Sequence, residues 1–239
     1  MTDPITASAL FKTAYESRYT WDENFPGYCA DVQLVQGSEV YTGKIRINRD
    51  LSVEVIGIAD EQVQEGIYTQ LRDIVTHRKR SSFEQSHSQH KFTLGETDET
   101  GAVQVLVKGD SMGSNYKIRG KEICQVSRVM GRMAFVINTY ESFNTDCGYI
   151  ASRYDAIFRN SKTNEVSSVL KFEDSYEKFG DYYLMTKQVV QECEDGVSVD
   201  GASGREAATS GASGSVARMT TEFSYSNIKL RTYALKAET

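Results

Sequence analysis

The spacing of apolar residues along the chain switches between two periods. Near the start, Leu10, Phe11, Ala14, Tyr15 and Tyr19 recur at helical intervals after Pro4, which predicts a short amphipathic helix capped by Asp3 or Thr6. Pro26-Gly27 breaks that pattern, and the period drops to two, with Tyr28, Ala30, Val32 and Leu34 on one face of a strand. Gly37-Ser38 reads as a turn. Tyr41, Gly43, Ile45 and Ile47 then alternate with Thr42, Lys44, Arg46 and Asn48, and Leu51, Val53 and Val55 repeat the device. Adjacent strands joined by short turns predict an antiparallel meander.

From Ala59 to Arg80 the helical period returns. Val63, Ile67, Leu71, Ile74 and Val75 form one stripe, and Glu61, Gln64, Glu65 and Arg72 face away from it. Asp60 and Glu61 at the start and His77, Arg78, Lys79 and Arg80 at the end match the helix dipole. The basic cluster therefore reads first as a helix end, with a patch for an anionic partner as the alternative.

Beyond it the chain returns to strands. HKFTLGE, AVQVLVKG and NYKIRG are followed by the long run EICQVSRVMGRMAFVINTYESF, in which Gly131 marks a bend or bulge. Residues 149–158, 166–172, 182–191 and 220–230 supply four more strands. About ten strands and two helices predict a single α+β domain over residues 1–239: a large curved antiparallel sheet wrapping two main helices. Residues 195–217 are dominated by Gly, Ser and Ala and predict a flexible loop between two strands that pair with each other. The repeated GASG is no phosphate cradle, since no strand leads into it and no Lys-Ser/Thr follows.

The run LKFEDSYEKFGDYYLMTKQVV, residues 170–190, predicts an aromatic hairpin turning at 178–181, where Gly180 supplies the unusual backbone angle. Tyrosine suits surfaces that are partly apolar and partly wet, and the chain has 14 tyrosines against one tryptophan. Two readings follow. In one, the rings fill the gap between sheet and helices, and Trp21 plugs one end of the core. In the other, sheet and helices leave an apolar cleft for a lipid-like or pigment-like ligand, lined by Phe172, Tyr176 and Tyr182, with Trp21, Phe25 and Tyr28 at its mouth.

Charge and composition narrow the partners. The net charge of −6 repels a phosphate backbone, so nucleic acid is not an expected partner. No apolar run approaches the roughly 20 residues of a membrane-spanning helix. The first residues lack a basic segment and an apolar stretch of secretory type, which makes the cytoplasm the expected location. Cys29, Cys124, Cys147 and Cys193 include no CxxC and read as buried thiols of a reducing compartment.

Candidate chemistry is sparse. There is no strand-to-helix G-x-S-x-G elbow, since the match GDSMG at 109–113 falls between two predicted strands, and there is no P-loop and no dinucleotide fingerprint, so no residue is nominated as catalytic and no cofactor is expected. Glu173 and Asp174 fall on opposite faces of a strand and do not make an acid/base pair. Glu84, His87 and His90, three apart, with His77 upstream, are the weak candidates for a metal site, although HExxH spacing is absent and the Ser and Gln neighbours suggest a solvated linker.

The order of segments carries a resemblance. RYTWDENFPGYCADVQL, then GKIRINRD with VEV, and late in the chain FEDSYEKFGDYYLMTKQ and EFSYSNIKL, together resemble an uncharacterised family of cyanobacteria and plastid-containing organisms, known as a domain of unknown function, over nearly the whole chain. Its plan is similar to the LolA/LolB lipoprotein-carrier fold, a half-barrel whose curved sheet wraps helices around a hydrophobic cavity. Leu184-Met185 stands where that pattern has Leu-Pro. The resemblance implies a non-enzymatic binding or carrier module for an apolar ligand, linked to photosynthetic membranes. The alternatives are a protein-interaction or assembly factor, and a metal-dependent enzyme using Glu84, His87 and His90.

Overall fold

The computed structural model describes residues 6–109, 114–193 and 217–232; the predicted 195–217 loop lies almost wholly outside them, as does Asp3. The first helix, α1 (Ala7–Glu16), starts at Thr6, whose side chain accepts from Ala9 N, and buries Phe11 and Ala14. Helix α2 (Glu61–Arg78) starts at Asp60, which accepts from both Gln62 N and Val63 N, and ends in His77 and Arg78. Its buried residues Ile67, Leu71, Ile74 and Val75 belong to the stripe read from the sequence. Residues expected to form a solvated linker instead make a third, short helix, α3 (Phe83–His87), because Ser82 and Gln85 form a reciprocal capping box.

Among the described residues twelve strands form one antiparallel sheet. They are β1 (Tyr28–Gln36), β2 (Glu39–Ile47), β3 (Val53–Ile56), β4 (Lys91–Thr97), β5 (Val103–Lys108) and β6 (Asn115–Arg119). The longer second half comprises β7 (Glu122–Met130), β8 (Met133–Thr145), β9 (Gly148–Asn160), β10 (Val166–Phe179), β11 (Tyr182–Cys193) and β12 (Ala217–Leu230). Their spatial order is β3-β2-β1-β12-β11-β10-β9-β8-β7-β6-β5-β4. Successive strands are neighbours except at β3 and β4, and one pair of non-successive strands is added. The first strand pairs with the last, Leu34 opposite Phe223 and Val32 opposite Tyr225, and α2 and α3 carry the chain from the β3 edge to the β4 edge. The two edges do not pair, so the sheet is open.

The single long run predicted around Gly131 is two strands. Met130 pairs with Met133, and Gly131, at φ +62°, supplies the first central residue of a two-residue hairpin turn, where a positive φ is required. Gly180 does the same between Phe179 and Tyr182, at the place the sequence suggested. The strands that flank residues 194–216 do pair, with Val189 opposite Glu222 and Val190 opposite Thr221.

The sheet bends around its helices. Ile67, Leu71, Ile74 and Val75 of α2 share one apolar cluster with Val32 and Ile45 at one side and Tyr176, Met185 and Phe223 at the other, so five strands curve over one helix. A second cluster joins Phe11 and Ala14 of α1 and Phe83 of α3 to Val105, Val107, Tyr116 and Ile118. Tyr149 ties α1 to the sheet: its hydroxyl accepts from Ile123 N at 2.9 Å and donates to Ala14 O at 3.3 Å, and burial pushes its pKa up to about 12. The cysteines are all free, and not all are buried, because Cys147 sits exposed in the β8–β9 turn.

Candidate functional site

Between the two helix-covered ends lies a strip of inner face. Opposite residues in an antiparallel pair point the same way, so the register traces this face across the sheet. Val126 is opposite Ile137, Ile137 opposite Ala156, and Ala156 opposite Leu170. One step along, Tyr154 is opposite Phe172, and Phe172 opposite Val190. Val126 packs on the α1 cluster and Val190 on the α2 cluster. Phe135, Ile137, Phe158, Leu170 and Phe172 are half-buried and belong to neither cluster. Tyr154 and Phe172 stack with centroids 4.6 Å apart and rings 8° from parallel, and Phe135 lies 6.0 Å from Phe158.

At the α2 side this strip ends in a polar cluster. Asp174 Oδ1 accepts from Gln188 Nε2 at 2.8 Å, and Asp174 Oδ2 accepts from the Tyr176 hydroxyl at 3.0 Å. Arg78, the last residue of α2, donates to the Tyr176 hydroxyl at 3.3 Å and lies 5.6 Å from the ring centroid. Burial outweighs these hydrogen bonds and the nearby guanidinium, and lifts the Asp174 pKa to about 6. Burial also raises the Tyr154 and Tyr225 hydroxyls well above their usual range. Gln188 and Tyr225 are 1% and 4% exposed, yet Gln188 Oε1 and the Tyr225 hydroxyl have no hydrogen-bond partner among the described residues. Most buried polar atoms are paired, and these two orphans lie on the side of the strip where Asp174 sits.

The six aromatic candidates separate into two groups. Trp21 stacks on Phe25 (4.1 Å, 13°), Phe25 meets Tyr182 at 5.0 Å, and Tyr28 stands edge-on to both Trp21 and Phe25. Trp21, Phe25 and Tyr28 are at most 3% exposed and fill one end of the α2 core, where the Tyr182 hydroxyl bonds Asp22 at 3.0 Å. Phe172 and Tyr176 instead lie on the inner strip and its polar end. Sequence reasoning passed over Asp174, Gln188, Tyr154 and Tyr225. The available signal was strand parity: Asp174 lies two residues from both Phe172 and Tyr176, on the face that goes inward.

Glu84, His87 and His90 do not converge. Glu84 is paired with Lys12, the His87 and His90 Nδ1 atoms face each other at 3.0 Å, and His77 pairs with Asp73 at 3.4 Å. His87 packs edge-on against Phe11 and Tyr15. Among the described residues no group of three His, Cys, Asp or Glu side chains is placed to hold a metal ion, and no helix is long and apolar enough to cross a membrane.

Two cavities open elsewhere on the surface. One of about 440 Å³ lies between α1 and the α2–α3 junction; another of about 560 Å³ lies beside Gly43 and Gly57, with Asp31, Lys44 and Ser226 at its rim. None of the six aromatic candidates lines either.

Among solved structures, a LolA superfamily protein from Nitrosomonas europaea is similar, with a TM-score of 0.33 and 9% identity, over 97% of this chain and 96% of that one. The MucA/MucB complex of Pseudomonas aeruginosa contains a chain similar at a TM-score of 0.22 and 11% identity, over 95% and 99%. No curated protein matches the chain. The family model described as "Protein of unknown function (DUF3386)" matches residues 2–231, and the chain belongs to that family.

Proposed function

We propose that the protein is a non-enzymatic binding or carrier module whose inner strip receives an apolar, lipid-like or pigment-like molecule bearing one polar group. The observation that supports this reading is the combination of an uncovered apolar bed, Phe135, Ile137, Phe158, Leu170 and Phe172, with orphan polar atoms of Gln188 and Tyr225 at one end of it. An apolar surface with a few convergent polar groups is the usual chemistry of a small-molecule site. The Trp21–Phe25–Tyr28–Tyr182 cluster acts as the closed end of the core rather than as a wall. Mass spectrometry of solvent extracts from natively purified protein tests the reading. A stoichiometric amphiphile that is lost in Phe172→Asp supports it; an empty protein that takes up no fluorescent fatty acid counts against it.

A second reading, a docking factor for a protein partner, is favoured by one feature. Val129, Met130 and Met133 at the β7–β8 turn are 48%, 47% and 40% exposed, and adjacent exposed apolar side chains mark interaction surfaces. Met130→Ser with Met133→Ser abolishes partner capture on this reading and leaves ligand content unchanged on the first.

A further inference from the structure

The cavity of about 440 Å³ beside α1 is polar in a particular way. Its lining includes Arg18, Arg80, Tyr15, Thr20, Ser81 and Gln85. The two arginines come from segments that are sewn together by backbone bonds. Tyr149 N donates to Ser17 O at 3.0 Å, Tyr19 N to Tyr149 O at 2.9 Å, and Trp21 N to Arg78 O at 2.8 Å. These bonds hold the 17–21 connector against both the sheet and the end of α2, which brings Arg18 and Arg80 to one notch.

Each guanidinium is anchored by its inner nitrogen. Arg18 Nε donates to Tyr15 O at 2.9 Å while the group stacks 3.9 Å from the Tyr15 ring centroid. Arg80 Nε donates to Thr20 Oγ1 at 3.3 Å. The Arg18 guanidinium also faces the Tyr15 hydroxyl, and among the described residues no carboxylate forms an ion pair with either arginine. Gln85 spends its side-chain oxygen on Ser82 N, which leaves its amide N–H₂ as a donor. The Tyr15, Ser81 and Ser86 hydroxyls form a ring with separations of 2.8, 3.0 and 3.0 Å. Among the described residues Glu16 is the only acid at the rim, and Lys12 lies 3.8 Å from it.

We infer that this notch is a binding site for an oxyanion, specifically the phosphate monoester group of a small molecule or lipid. Two guanidinium forks, with the Thr20 hydroxyl and the Gln85 amide as flanking donors, match the geometry and charge of a phosphate. The volume accommodates the group together with a small organic remainder. In a chain of net charge −6, two arginines without ion-pair partners in one cavity are a local concentration of positive charge. The inference is independent of the inner strip and stands or falls separately from it.

The test is titration of the full chain with inorganic phosphate and with glycerol 3-phosphate at constant ionic strength set by chloride, followed by backbone amide NMR and calorimetry. A parallel arm uses phosphatidylcholine vesicles with and without phosphatidic acid. Saturable shifts confined to residues 15–20 and 80–86 are expected. Arg80→Gln, at an exposed position, and Arg18→Gln each weaken binding about tenfold, and Lys162→Gln, in the distant β9–β10 turn, leaves it unchanged. Saturation by the soluble esters assigns a free metabolite. Binding only to vesicles that contain phosphatidic acid, lost in Arg80→Gln, assigns a lipid headgroup. Absence of saturable binding in both arms, or equal binding by wild type and folded Arg80→Gln, overturns the inference.

Discussion

At the scale of single residues, Asp174 sets a pH dependence whose sign is unusual for a carboxylate. Its pKa is raised from 3.8 to about 6 by burial. Between those values the native state keeps a proton that the unfolded chain has released, so the stability it contributes is complete below the unfolded value and is lost as pH rises through about 6. The loss amounts to about 3 kcal/mol. Denaturant melts from pH 4 to 8 measure it, and Asp174→Asn flattens the profile and raises the midpoint at pH 8. A ligand group that pairs with Gln188 or Tyr225 changes the same titration, so the apparent pKa also reports occupancy. Packing is governed more simply. Leu71 is fully buried in α2, and Leu71→Ala costs about 2–5 kcal/mol by the cavity it leaves, read as a shift in midpoint at constant m-value.

At the scale of elements, caps and ties decide where helices sit. Asp60 accepts two backbone N–H groups at 2.9 and 3.0 Å, and Asp60→Ala lowers stability by about 1 kcal/mol. Tyr149→Phe leaves Ile123 N without its acceptor and α1 without its anchor, at a cost of about 1–3 kcal/mol, with faster amide exchange in α1 than in α2 as the distinguishing signature. Much of this level was legible in the chain. Period two located β1, β2 and the aromatic hairpin, and period 3.6 located α2 with its buried stripe, because both faces of these elements differ sharply in polarity. Gly131 was ambiguous, since a bulge and a two-residue turn both want positive φ, and pairing partners decide between them. The α3 helix is too short for periodicity to reveal it. Its capping box, Ser82 and Gln85, was the local signal. The inner strip's ring pairs were visible as alternation, but the Asp174–Gln188 contact joins residues 14 apart in sequence on two strands, and parity alone does not say which polar side chains meet.

At the scale of the whole molecule, the sheet is one long meander whose start has been tucked beside its end. Strands β1 to β3 attach to the rest through β12, so truncation before residue 217 removes the central strand that joins the two parts. The expected outcome is loss of cooperative unfolding by circular dichroism together with dye binding to exposed apolar surface, whereas an intact sigmoidal melt contradicts this role of β12. The same arrangement explains why α2 shares a core with strands from both ends of the chain.

The pairing of first and last strands also has a consequence in time. During synthesis the β1–β2 hairpin emerges with one long side bare, and its neighbour β12 is made only after the nine strands between them. Until that strand is made, the bare side remains a template for adventitious strand pairing, so the nascent chain depends on being shielded until β12 arrives.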